Sequence, residues 1–221
     1  FKMIKRKIEA TDLFAIHSIT NPVISPDGNE AVFIRTEMHK KDNKYYAYLY
    51  HVKIETSEVT QWTHAKEKVS SPKWSADGKQ LAFISNRDDK NQIYIMSAKG
   101  GEAKQLTKFE KGVSSFIWSP CSKKIWFSAS LKDGRSWTDE AEEKENKLPE
   151  AYVVDNMKYH NDGVGLLPKD TYRQIGSIVI ASGEIKAFTE GTFNHSLQAI
   201  SHDGKKLVMG VNRDESQDFS F

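Results

Sequence analysis

Two short markers that recur in step along 221 residues predict an all-β fold. The expected architecture is an open, partial β-propeller of four-stranded antiparallel blades, about three complete and a fourth begun. The first marker is a turn: Ile24-Ser25-Pro26-Asp27-Gly28, Trp74-Ser75-Ala76-Asp77-Gly78 and Ile200-Ser201-His202-Asp203-Gly204, with Trp118-Ser119-Pro120-Cys121-Ser122 as a variant. Five residues beyond the last position of each turn stands a large apolar residue: Phe33, Phe83, Phe127 or Met209. The second marker is a threonine that closes Thr-Gln-Trp-Thr at Thr63, Lys-Gln-Leu-Thr at Thr107 and Lys-Ala-Phe-Thr at Thr189. Thr63 and Thr107 lie 44 residues apart, as do Ser75 and Ser119; Thr107 and Thr189 lie 82 apart, as do Ser119 and Ser201. A β-sandwich also shows turn signals every 8–12 residues, but its strands have no reason to repeat the same words at a fixed period.

Each unit reads as four short strands. In Ser-x-Asp-Gly the aspartate can bond the backbone two residues on, and glycine accepts a positive φ. Gln80–Ser85 is short, apolar and β-rich, as a strand covered on both faces should be. Asn86–Asn91 is a polar turn, Gln92–Ser97 the next strand, Lys99–Glu102 a hairpin signal and Ala103–Thr107 a short outer strand. The Cys121-Ser122 pair replaces Asp-Gly; serine in a left-handed position costs about 1 kcal/mol, so a different turn type is expected there.

One partial propeller domain therefore divides into an opening segment 1–16, blades over 17–63, 64–107 and 108–189, and an incomplete blade over 190–221. In the opening segment, Thr11–Ile16 suggests an N-cap and one helical turn. The third unit carries an insertion over about 131–171, with an acidic run Asp139–Glu145 between Trp137 and Pro149 and a Gly-rich segment Tyr159–Gly165. The acidic run is expected to be a solvated loop or exposed helix. Three blades and a fragment cannot close a ring, so the chain is expected to be a piece of something larger, with an open strand edge prone to self-association.

Composition narrows the partners. Lys and Arg number 32 against 30 Asp and Glu, a net charge of +2, which gives no basic footprint for nucleic acid. No stretch approaches the ~20 apolar residues of a membrane span, and no apolar run follows the basic residues at the N-terminus, so neither membrane nor export signal is expected. The single cysteine, Cys121, rules out an internal disulfide framework and fits a reducing, cytoplasmic setting.

No catalytic, cofactor-binding or metal-binding residue is expected. The sequence has no Gly-x-Ser-x-Gly, no His-Glu-x-x-His and no Gly-x-Gly-x-x-Gly. The seven histidines, His17, His39, His51, His64, His160, His195 and His202, show no ligand spacing and read as surface or loop residues. Cys121 has no base beside it in sequence, and Asn86–Asn91, though oxygen-rich, lacks the ligand order of a calcium loop.

The succession Ser-Pro-Asp-Gly, Phe, Asn-Arg-Asp, Ile-Tyr-Ile-Met, Gly-Gly-Glu and Leu-Thr resembles the repeat of TolB-type propellers. It also resembles the N-terminal propellers of the prolyl oligopeptidase family of serine peptidases. Asp12-Leu13-Phe14 ahead of Asn21-Pro22, the insertion ending in Tyr159–Gly165, and Lys-Gly-Gly-Glu followed by Leu-Thr bring it nearest the acylaminoacyl peptidase branch. The resemblance implies a propeller that gates short peptides for a C-terminal α/β-hydrolase domain of the same polypeptide, which would hold the whole catalytic triad. This chain alone is then expected to be inactive. The alternative is a non-enzymatic TolB-like propeller that binds protein partners.

Overall fold

The computed structural model describes residues 6–132, 135–137, 160–161, 165–166 and 170–213. Strands β1 (Ser18–Ile24), β2 (Glu30–His39), β3 (Lys44–Lys53) and β4 (Glu58–Gln61) form one antiparallel sheet in chain order. Strands β5 (Val69–Trp74), β6 (Gln80–Asp88), β7 (Lys90–Ser97) and β8 (Lys104–Gln105) form a second. The third combines β9 (Val113–Trp118) and β10 (Lys124–Lys132) with β13 (Thr171–Val179) and β14 (Ile185–Ala187). Between them β11 (His160–Asn161) pairs β12 (Gly165–Leu166), and β15 (His195–Ile200) pairs β16 (Leu207–Val211). These sheets are the blades of a partial, open propeller. They fall into two compact units, Phe1–Lys108 with the first two blades and Phe109–Phe221 with the third and fourth.

In the first unit the core is a blade-on-blade interface. Val32, Ile34, Ala47 and Leu49 of the first sheet pack with Leu81, Phe83, Tyr94 and Met96 of the second. Trp74 at the end of β5 joins them and donates its indole N–H to the carbonyl of Val23, 3.2 Å away. The register between the first two strands of every blade slips once, at Thr20/Val23, Ser70/Lys73, Ser128/Ala129 and Leu197/Ala199. A bulge raises local twist; it falls opposite Phe33 and Phe83 in the first two blades and beside Met209 in the fourth, but past Phe127, between Ser128 and Ala129, in the third.

Both sequence markers have a physical origin. In the turns, the serine hydroxyl accepts the N–H of the residue five further on, at 3.0 Å for Ser25, 2.9 Å for Ser75 and 2.9 Å for Ser201. The same hydroxyl donates to the aspartate, at 2.5 Å on Asp27 and 2.6 Å on Asp77 and Asp203. That carboxylate in turn accepts the N–H two residues on. The marker threonines are clamps. Thr63, Thr107 and Thr189 accept the N–H of Leu49, Ile93 and Ile175 at 2.9, 3.0 and 2.8 Å, where the third strand of each blade would otherwise leave a donor unpaired. Thr107 and Thr189 also donate to Gln92 and Gln174, each at 2.8 Å.

Two local expectations are corrected and a third is narrowed. Ser122 takes φ 57°, close to Gly78 at 68°, and its N–H bonds Ser119 O at 2.9 Å as Gly78 bonds Ser75. The variant turn is thus of the same type, because the Ser119 hydroxyl still ties down the N–H of Lys124. The polar turn expected over Asn86–Asn91 is present but narrower: β6 and β7 extend into it, Asp88 pairs Lys90, and the reversal pivots on Asp89 at φ 67°. The opening helical turn is a 3-10 helix over Ala10–Ala15, capped not by Thr11 but by Glu9, whose N–H bonds Asp12 at 2.9 Å.

In the third blade β10 and β13 pair without a break from Lys124↔Val179 to Lys132↔Thr171. The insertion therefore replaces the hairpin turn and leaves the sheet intact. Within it His160 pairs Leu166 and Asn161 pairs Gly165. The acidic run Asp139–Glu145, together with Tyr159 and Asp162–Val164 of the Gly-rich segment, lies outside the described residues.

Candidate functional site

A groove of about 660 Å³ lies on the first unit. The end of β4 and the crossing to β5 form one wall, through Trp62, Thr63 and His64; the turn between β7 and β8 forms the other, through Lys99 and Gly100. Gly100 sits at φ 84°, and a Cβ there would lie 3.7 Å from Trp62 Nε1, so the wall brings the backbone up to the indole. His51 stacks on Trp62 from below, ring centroids 4.4 Å apart, with Nε2 3.3 Å from a Glu30 carboxylate oxygen.

Arg87 reaches the same groove from the end of β6. Its guanidinium is engaged by Glu67, Nε at 3.1 Å and Nη2 at 3.0 Å, and Glu67 also accepts from the Ser85 hydroxyl. Glu67 is 3% exposed, so the pair is satisfied by design of the local fold rather than by water. Arg87 also lies over the Tyr94 ring, 5.0 Å from its centroid. Burial, and then the hydrogen bond to Asp88 at 2.8 Å, push the Tyr94 hydroxyl up to about 12. The groove's arginine and Thr63 are thus committed to structure. Trp62, His64, Lys99, Glu102 and the Gly100–Gly101 backbone complete its surface.

The other candidate groups are dispersed. Among the described residues no three His, Cys, Asp or Glu side chains come together as a metal site. His17, His64, His160 and His202 are exposed, as expected, but His51 and His195 are buried, each with one ring nitrogen lacking a hydrogen-bond partner. Cys121 is exposed; the Ser119 hydroxyl at 3.2 Å, and then the Lys123 N–H, hold its thiol below the ordinary value. Its place in the turn is that of the aspartate, which the same geometry holds low at Asp27 and Asp203. Sequence reasoning passed over Glu67 and Arg87, since an acid two residues before a strand carries no mark of burial.

The repeat geometry agrees with comparison to known proteins. A family model described as the TolB β-propeller domain matches residues 15–150. The chain belongs to the TolB β-propeller domain family. Within it, the chain is similar to the uncharacterized peptidase YuxL of Bacillus subtilis, 37% identical over 217 residues that cover 98% of this chain and 33% of that protein. It is also similar to dipeptidyl-peptidase 5 of Porphyromonas gingivalis, 34% identical over 121 residues, 55% of this chain and 18% of that one. The chain thus spans a third or less of the length of these curated relatives. A solved Pyrococcus horikoshii acylaminoacyl peptidase shares the fold, with a TM-score of 0.67 at 20% identity over 91% of this chain and 29% of that one. The resemblance read from the repeat, to propellers of the prolyl oligopeptidase family, holds.

Proposed function

We propose that this chain is the non-catalytic propeller region of a serine peptidase of the prolyl oligopeptidase type, which admits short peptides and excludes folded protein. The reaction belongs to an α/β-hydrolase domain further along the same polypeptide, of acylaminoacyl peptidase type, working in the cytoplasm. The observation that carries this reading is the alignment of 98% of the chain with only a third of a protein named as a peptidase. The groove supports it as a surface on which Arg87 and Thr63 are already engaged by Glu67 and the Leu49 N–H. The blades divide as 17–63, 64–107, 108–189 and 190–221, with 1–16 leading in and the insertion over about 131–171. Association of the isolated chain through its open strand edge is part of the same proposal, checked by light scattering at rising concentration.

The filter is tested in the full-length enzyme. Its kcat/KM for a tetrapeptide should exceed that for a 30-residue peptide with the same scissile residue, and excising residues 1–221 should shrink that ratio at least tenfold. An unchanged ratio would leave the propeller as a binding module for protein partners instead.

A further inference from the structure

The first two blades share an aromatic pair in register on neighbouring strands. Phe33 faces Tyr50, with ring centroids 5.6 Å apart and planes at 13°. Phe83 faces Tyr94 at 6.0 Å and 13°. In the third blade the same phenylalanine, Phe127, faces Gly176. The repeat has kept one ring and deleted the other, which should leave a void beside a fully buried phenylalanine.

There is no void. Trp137, six residues past the start of the insertion at Leu131, turns back and lays its indole over Gly176, 5.0 Å from the Phe127 ring at 72°. Phe109 closes the cluster, 4.9 Å from Phe127 and 5.9 Å from Trp137. A Cβ on residue 176 would stand 2.6 Å from Trp137 Cζ3 and 2.8 Å from Phe127 Cζ. Only glycine leaves room for the indole. Trp137 is 9% exposed, and its Nε1 is buried with no hydrogen-bond partner. A buried tryptophan ordinarily satisfies that donor, so here the ring is held for its shape alone.

We propose that Gly176 and Phe127 form a binding slot for an aromatic side chain, filled in cis by Trp137, and that this contact fastens the insertion to the core of the third blade. Trp137 is a positioning residue: it supplies from the insertion the ring that the repeat elsewhere supplies from its third strand. Glycine at 176 and tryptophan at 137 are then one feature, and neither is tolerated alone.

Thermal unfolding of the 221-residue chain, with free indole as probe, tests the slot. Trp137→Ala should lower Tm by about 10 °C. Millimolar indole should restore part of that loss, because an apolar cavity of the right shape binds its missing ring and binding to the folded state raises Tm. Indole should leave the parent chain unmoved. Gly176→Ala should lower Tm by several degrees in the parent and by clearly less in the Trp137→Ala background, where only the 2.8 Å approach to Phe127 Cζ remains. If Trp137→Ala does not fold, Trp137→Phe, whose shorter ring leaves space for a methyl group, replaces it in the same pair of comparisons. An unchanged Tm for Trp137→Ala, an equal indole shift in both chains, or an equal cost of Gly176→Ala in both backgrounds would each overturn the proposal.

Discussion

The second and third blades have the same strand order and the same threonine clamp, yet they are fastened by different means. In the second, a tight reversal at Asp89 joins β6 to β7, and the buried Glu67 gathers Ser85 and Arg87. In the third, the repeat position of Glu67 is held by Lys111, which is exposed and, among the described residues, pairs with its neighbour Glu110 at 3.0 Å. The reversal there is replaced by the insertion, and aromatic packing around Gly176 does the fastening. The backbone clamps are therefore constant, because an unpaired strand N–H is costly in any blade, while the side-chain fasteners change with what the loop must carry.

That contrast can be broken at a single repeat position. Glu67→Ala should cost about 3 kcal/mol, since it strips a buried network of its acceptor and leaves Arg87 without its partner. Lys111→Ala should stay within about 0.5 kcal/mol. Urea unfolding of both variants checks this, and comparable losses would mean that the ion pair is not what secures the second blade. A smaller effect is expected at the turns. Ser122→Gly should stabilise by about 0.5–1 kcal/mol by relieving a left-handed serine, and Gly78→Ser should destabilise by a similar amount. If both changes are neutral, the strain assigned to the third blade's turn is absent.

The smallest effect is alkaline. Tyr94 in the second blade is raised to about 12, while the third blade has a glycine in its place. A phenol whose folded pKa is raised contributes stability that is complete below its ordinary value, near 10, and is lost as pH rises through about 12. Tyr94→Phe should flatten the stability curve between those values and remove one late step from the ultraviolet tyrosine titration. A curve unaltered by the substitution would place the alkaline loss elsewhere.

Much of the fold was legible because both markers are hydrogen-bonding devices, and a device must keep its residue types. Ser25, Asp27 and Gly28 recur as a turn for the bonds they make, and Thr63, Thr107 and Thr189 recur for the N–H they accept. The Cys121-Ser122 turn was misread because glycine's role was judged from residue 122 alone, whereas Ser119 holds the geometry. Glu67, Arg87 and Trp137 were not legible as a set, since their partners lie a blade strand or an insertion away. One signal for Trp137 was present all the same. Aligned to Tyr50 and Tyr94, the third unit has Gly176, and a glycine opposite a conserved-type phenylalanine within the repeat asks which other ring fills the gap.

If this chain selects, as proposed, and another part of the polypeptide reacts, the two separate in an assay. The direct measurement is hydrolysis of acyl-amino-acid and peptide chromogenic substrates by the 221-residue chain and by the full-length protein, each with and without a serine-reactive inhibitor. The expected result is no turnover by the chain and inhibitor-blocked turnover by the full-length protein. Inhibitor-sensitive turnover by the 221 residues alone would contradict it.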